Sequence, residues 1–412
     1  MKRVVVTGIG AVTPLGHNTD DLFTNLINGE SGIDYITKFD ASPLKVKIAG
    51  EIKDFNPQDI LSRREVRRTD SFTQYALVAA DEAMKKSGLE LENENPDRIG
   101  AVVASGIGGI ETWEEQHKVL LNESPERMSP FFIPKMILNS ASGYMSIKYG
   151  FKGPNFAIAS ACASSGHAIA DAYNQIILDN ADIMVAGGAE AALTPLAFSG
   201  FISLQALSTK NDEPKKASRP FDAERDGFIM AEGSGILVLE EYERAKKRGA
   251  EILAEITGYG YNDDAFHITA PVETGEGAAK CMKLAVERSK KNLEDVDYIN
   301  AHGTSTKLND VMETRAIKQV FGDHADNLLI SSTKSMTGHM LGATSSVELI
   351  ATIMSMNKGI LHPTINYTNS DPECDLNYIP NEAMKKEIDF ALSNSFGFGG
   401  HNVCLAIAKF NG

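Results

Sequence analysis

Cysteine is scarce and dispersed in this chain of 412 residues: Cys162, Cys281, Cys374 and Cys404 stand far apart, with no CxxC pair. That spacing excludes a zinc finger or ribbon and argues against a disulfide framework, so a reducing compartment, the cytoplasm, is expected. Positive charge is also in short supply. The 40 Lys and Arg face 55 Asp and Glu, leaving a formal charge of −15. General affinity for nucleic acid or for a membrane surface is therefore not expected. No apolar run reaches membrane-spanning length, and Met1-Lys2-Arg3-Val4-Val5-Val6 enters a strand pattern with no signal peptide ahead of it. The glycine-rich turn Ser105-Gly106-Ile107-Gly108-Gly109 lacks the full dinucleotide fingerprint and the ribose-binding acid that should follow.

What is present is an alternation. Short apolar runs recur at Val4–Val6, Ile99–Ala104, Phe156–Ala159, Ile183–Ala186 and Ile236–Leu239. A second series follows at Ile252–Ile256, Tyr298–Ala301, Leu328–Ser331, Phe390–Ser393 and Val403–Ala408. Helical patterns lie between them, at Thr69–Gly88, Cys162–Asn180, Glu276–Lys291, Asp310–Phe321 and Gly342–Lys358. In Cys162–Asn180 the residues Gly166, Ile169, Ala170, Tyr173, Ile176 and Ile177 share one face. Strands alternating with helices of this length predict a layered α/β fold with buried sheets. Ala159–Ile176 and Ser332–Ile350 look like distant copies of one strand–turn–helix unit, which divides the chain into halves at 1–250 and 251–412. No low-complexity linker separates them, so one interface with the site between the halves is expected.

Cys162 carries the chemistry. It sits in Ala159-Ser160-Ala161-Cys162-Ala163-Ser164-Ser165-Gly166, where an apolar run breaks into a helical one. A thiol at a helix N-terminus feels the positive end of the dipole, and free N–H groups there can receive an oxyanion. With a nearby imidazole, that setting predicts a lowered thiol pKa. His302 and His339 both adjoin glycine, which permits close approach to a ligand. One thiol and two imidazoles point to acyl transfer through a covalent thioester. A cysteine thioester hydrolase is the rival reading. Cys162 and His302 lie 140 residues apart, within a papain-like range, but the signature around such a nucleophile and its Asn partner are absent. His17, His117, His167, His267, His324 and His362 are read as core or surface residues.

Four motifs then occur in order: Ala161-Cys162-Ala163-Ser164-Ser165-Gly166, His302-Gly303-Thr304-Ser305-Thr306, Lys334-Ser335-Met336-Thr337-Gly338-His339 and Asn394-Ser395-Phe396-Gly397-Phe398-Gly399-Gly400. Together they resemble the elongating β-ketoacyl-acyl-carrier-protein synthases, closest to the bacterial synthase II type, from Val4 to Ala408. The resemblance implies a thiolase fold, with two duplicated βαβαβαββ halves layered α-β-α-β-α in a homodimer. It implies the condensing step of fatty-acid elongation: an acyl chain on Cys162 is attacked by decarboxylating malonyl-carrier protein. The product is two carbons longer. No bound cofactor or metal is implied, since the substrates arrive on the phosphopantetheine arm of acyl carrier protein.

The same resemblance distributes roles. His302 and His339 would donate N–H groups to the malonyl thioester oxygen, and Lys334, paired with Glu348, would orient the site. Cys162 and Phe398 would supply the oxyanion-hole N–H groups, with Gly397 and Gly399 letting Phe398 act as an acyl gate. Thr304, Thr306, Thr269, Phe228 and Ile107 would face the pantetheine arm or the acyl chain. Arg64, Arg67 and Arg68, in the strongest basic cluster of an acidic chain, would dock the acidic carrier protein. Lys307, Asn309 and His401 depart from the usual family pattern and leave the local loop shapes open. The double histidine favours the decarboxylating branch over thiolases, which use a second cysteine there, and over initiating synthases, which use Asn. A polyketide or polyene ketosynthase would carry the same triad.

Overall fold

The computed structural model describes residues 2–411. Ten strands form the main sheet. In the first half these are β1 (Val4–Val12), β2 (Ile99–Ala104), β3 (Asn155–Phe156), β4 (Ile183–Glu190) and β5 (Gly233–Glu241). The second half contributes β6 (Ala254–Asp263), β7 (Tyr298–Asn300), β8 (Leu329–Ser331), β9 (Phe390–Gly397) and β10 (His401–Ala408). The helices that bear on the site are α1 (Arg63–Arg68), α2 (Ser71–Ser87), α3 (Ser164–Ile177) and α4 (Glu276–Arg288). They are joined by α5 (Lys307–Phe321), α6 (Lys334–Thr337) and α7 (Thr344–Lys358).

Strand order runs β3-β2-β4-β5-β1 in one half and β8-β7-β9-β10-β6 in the other, so each half places its third, second, fourth, fifth and first strands side by side. Strand sense repeats too. The second strand of each half lies parallel to the third and fourth, and the fifth is antiparallel to the fourth and first. The halves are thus two copies of one unit, though a short extra helix, Pro195–Ser203, interrupts the first. They meet edge to edge, where Val4–Val6 of β1 pairs antiparallel with Ala254–Ile256 of β6.

Helix α2 covers the outer face of the first half and α4 that of the second, while α3 and α7 lie between them and touch strands of both. This is the α-β-α-β-α layering. The middle layer explains the composition of its helices: Thr344–Met356 of α7 is buried without a break, as only a helix covered all round can be. Small residues let α3 pack closely. A Cβ on Gly166 would come within 2.5 Å of Val403 Cγ1 and 3.3 Å of Ser345. One strand prediction is cut short: β3 ends at Phe156, and residues 157–159 run on outside the sheet toward Cys162. The helix predicted from Cys162 begins only at Ser164, with Ala163 as its cap.

Candidate active site

Each half delivers its chemistry at the same place in the repeat, where the chain leaves the third strand and enters the central helix. In the first half that segment carries Cys162 ahead of α3, and in the second it carries Lys334–His339 ahead of α7. Because α3 and α7 pack against each other, their N-terminal ends bring Cys162 and His339 together. The second strands supply the neighbours: Ile107 follows β2 and His302 follows β7. Phe398 sits in the tight turn between β9 and β10.

The nucleophile turn is strained and pinned. Ala161 adopts φ 50°, costly for a residue with a Cβ. Ser164 Oγ accepts from Ser160 N at 2.8 Å and donates to Ala161 O at 2.6 Å, holding that conformation. His339 Nε2 lies 3.0 Å from Cys162 Sγ, and its Nδ1 lies 3.0 Å from the Thr344 hydroxyl. The His302 ring stands edge-on to His339 at a centroid separation of 5.5 Å. Cys162, His302 and His339 each present a ligating atom within 4.8 Å of the others. The backbone of His302 is held independently of its ring, since Glu313 accepts from His302 N and Gly303 N, both at 2.8 Å. Behind the triad Lys334 Nζ donates to Glu348 Oε1 at 2.6 Å and to His302 O at 2.5 Å, with both side chains almost wholly buried.

Burial dominates the electrostatics. It drives both histidines well below the ordinary imidazole range, and the Lys334 charge pushes the same way, so both rings are neutral at pH 7. Burial raises Glu348 to about 7, with Lys334 pulling against it. The thiol departs from the expectation of a lowered pKa. Desolvation pushes Cys162 up to about 11, outweighing Lys334 and the backbone N–H groups of Phe398 and Cys162, which favour the thiolate. Two facts explain the correction: the thiol precedes the first helical turn, so the dipole is weakened, and the imidazole beside it carries no charge.

A cavity of about 500 Å³ opens over the triad. Its lining includes Ile107, Phe228, Thr269, Thr304, Thr306, Gly397 and Phe398. Lys334 and Glu348 lie behind its wall. The turn that carries Phe398 is anchored outward, with Gly399 N donating to Ile268 O at 2.7 Å. Gly399 and Gly400 take φ 90° and 81°, so glycine is needed at both. Lys307 and Asn309 stand at the mouth of the cavity, where the Arg225 guanidinium donates to Thr306 O and Lys307 O, both at 3.2 Å, and so fixes the loop. His401, which opens β10 just after that turn, lies 3.5 Å from Asp263. The arginines expected to dock the carrier protein lie outside the cavity. Arg64 and Arg67 are exposed on α1, while Arg68 is half-buried with its guanidinium 5.0 Å from the Phe131 ring centroid.

Sequence reasoning passed over several contributors. His267, exposed as expected, also lines the cavity mouth and accepts from Thr269 N and Ala270 N. His167 lies 2.6 Å from Ser160 Oγ beneath the nucleophile turn. Asp310 and Glu313 project from α5 to take the N–H groups of Thr304, His302 and Gly303. Their three-residue spacing, one turn into the helix after the His302 motif, was the available signal.

Residues 1–245 match the family described as Beta-ketoacyl synthase, N-terminal domain, and residues 253–368 match its C-terminal domain. The 3-oxoacyl-[acyl-carrier-protein] synthase 2 of Synechocystis sp. is 51% identical over 409 residues, covering 99% of this chain and 98% of that one. The protein of the same name from Coxiella burnetii is 49% identical over 408 residues, with 99% of each covered. A beta-ketoacyl synthase from Burkholderia phymatum superposes over the full length of both chains, with a TM-score of 0.93 at 36% identity. A type II polyketide ketosynthase, solved with its acyl-carrier protein and bound to a hexaketide, aligns equally well at 36% identity. The layered, duplicated architecture is the thiolase fold of these ketosynthases, and with a match running through both halves this chain belongs to the beta-ketoacyl synthase family.

Proposed function

We propose that the protein elongates carrier-bound acyl chains by decarboxylative Claisen condensation with malonyl-carrier protein, using Cys162, His302 and His339. Family membership and full-length relatives near 50% identity make it a condensing acyltransferase of the β-ketoacyl-acyl-carrier-protein synthase type, acting in fatty-acid synthesis. The observation that carries the residue roles is the 3.0 Å approach of a neutral imidazole to the only cysteine sulfur lining the cavity.

In the first half-reaction the Cys162 proton passes to His339 Nε2 as sulfur attacks the acyl thioester. The tetrahedral oxyanion meets the N–H groups of Cys162 and Phe398, which already face the sulfur. Collapse expels the carrier's thiolate, which takes the proton, and the acyl group stays on sulfur. The Thr344 hydroxyl can donate or accept, so His339 can then present Nε2–H. In the second half-reaction His302 and His339 hold the malonyl thioester oxygen. Carbon dioxide leaves, and its bonding pair becomes the enolate, which attacks the acyl carbonyl. The tetrahedral adduct collapses, the carbon–sulfur bond to Cys162 breaks, and the thiolate takes up one proton from solvent. Lys334, tied to Glu348 and to the His302 carbonyl, fixes the second imidazole.

Arg64, Arg67 and Arg68 are the docking residues for the acidic carrier protein, supported by their isolation in a chain of formal charge −15. The pantetheine arm passes Thr304, Thr306 and Thr269, and the acyl chain lies toward Ile107 and Phe228. No cofactor beyond that arm enters the reaction. A homodimer is favoured by the exposed apolar residues Trp113, Ile133 and Leu196. The halves divide at 250/251. The protein is placed in the cytoplasm on its four scattered cysteines, which suit a reducing compartment; separately, among the described residues no helix is long and apolar enough to cross a membrane.

A polyketide role would use the same residues, but the 36% identity to the polyketide ketosynthase against 51% to a fatty-acid-type synthase favours elongation. The test is to incubate the protein with acyl- and malonyl-carrier proteins. A Cys162 thioester visible by intact mass and a keto product two carbons longer are expected. Cys162→Ala should abolish the adduct, and labelling that persists would refute the assignment.

A further inference from the structure

Glu190, the last residue of β4, is a fully buried carboxylate that takes no part in the chemistry above. Its partners are neutral donors. Ser105 Oγ donates to it at 2.9 Å, Gly106 N at 2.7 Å, Ile107 N at 3.1 Å and Gly342 N at 3.0 Å. A buried anion without a counter-ion is costly unless its hydrogen bonds do something that cheaper side chains cannot. Here the bonds join two turns from opposite halves of the repeat. One is the turn after β2 that ends in Ile107, and the other, Met340–Ala343, follows His339.

The fit is tight. A Cβ on Gly106 would come within 2.8 Å of the Glu190 carboxylate and one on Gly342 within 2.9 Å, so both turns are built around this group. Ser105 Oγ also accepts from Gly108 N at 2.9 Å, which extends the clamp along the turn. Ile107 has a second property: its side chain lines the 500 Å³ cavity above the triad and also a neighbouring cavity of about 220 Å³. The smaller one is walled by Ile110, Trp113, Met136 and Leu196. Ile107 is thus common to the linings of both. It can hold that place only while its backbone is held.

We propose that Glu190 is the positioning residue that sets the depth of the acyl pocket, by clamping the Ile107 turn to the turn behind His339. This rests on the elongation reading above, since it assigns the cavity to an acyl chain. Releasing the clamp lets Ile107 withdraw, joins the two cavities and admits longer chains.

The experiment supplies acyl-carrier proteins of graded chain length together with malonyl-carrier protein and reads kcat/KM for each length, with products sized by mass spectrometry. Glu190→Gln keeps the shape but turns an amide NH₂ toward N–H donors. Ser105→Ala removes one donor while leaving Glu190 in place, and provides a milder variant if the first folds poorly. The expected result is a shift of the upper length limit by about two carbons, with kcat/KM for the longest chains relative to the shortest rising about fivefold or more. The rise should be smaller in Ser105→Ala. Equal loss at every chain length would overturn the proposal, because a merely structural residue would give that result, and so would an unchanged length profile. Failure of the unaltered protein to elongate any carrier-bound chain would count against the elongation reading instead.

Discussion

Replacing His302 by Ala isolates one imidazole with little collateral damage, and the structure says why. The contacts that hold residue 302 in place run through its backbone: the N–H to Glu313 and the carbonyl to Lys334. Ring Nδ1 has no partner, so truncation breaks no hydrogen bond there. The space left is continuous with the open cavity, which avoids the cost of an enclosed void. The loss is then that of one preorganised donor on a developing enolate, about 3–4 kcal/mol or roughly 10²–10³ in rate. Water entering the vacated volume restores a weaker donor and places the expected loss near about 10²-fold. Carbon dioxide release from malonyl-carrier protein measures it, and the rate of Cys162 acylation, followed by intact mass, is the control. Acylation should change by less than about threefold, because His339 and not His302 faces the sulfur. If both rates fell by the same factor, the assignment of the loading step to His339 without His302 would be wrong.

The thiol pKa near 11 predicts that alkylation of Cys162 by iodoacetamide keeps accelerating as pH rises, because the thiolate is the reactive form. A plateau reached below about pH 9 would contradict it. Gly166→Ala should lower the melting temperature even though Ala favours helix by about 1 kcal/mol, since the new Cβ meets Val403 and overpacking costs about 1–3 kcal/mol. A gain in stability would show that the middle layer is looser than described. Lys334→Met strands the Glu348 carboxyl and should cost about 3–5 kcal/mol, read as a fall in apparent melting temperature. Lys334→Met with Glu348→Leu should recover most of that stability while malonyl decarboxylation stays impaired, and full recovery of both would remove Lys334 from the site's architecture.

Much of the fold is legible in the sequence. Each of the ten apolar runs overlaps a strand of the main sheet, because buried strands are continuous in Val, Ile and Ala and are bounded by turn residues. The long helices fell within a few residues of their places for the same reason of periodicity. The pairing of Lys334 with Glu348 came from the family resemblance, which makes Lys334 a buried charge, together with the cost of leaving a buried carboxylate alone. Helix starts were less legible. Small residues on both sides of Cys162 give no boundary signal, and only the positive φ of Ala161 and the Ser164 hydrogen bonds place the cap at Ala163.

The amino-acid sequence determined by itself the layered α/β class, the reactive residue types and their order along the chain, since these depend on local composition and spacing. Tertiary structure alone decided the electrostatic state of the thiol, which depends on how much water each neighbour excludes. It alone decided that His267 faces the cavity mouth and that Glu190 joins two distant turns, because residues 105–107, 190 and 342 meet only when the halves close on each other. Spacing along a chain carries no record of such meetings.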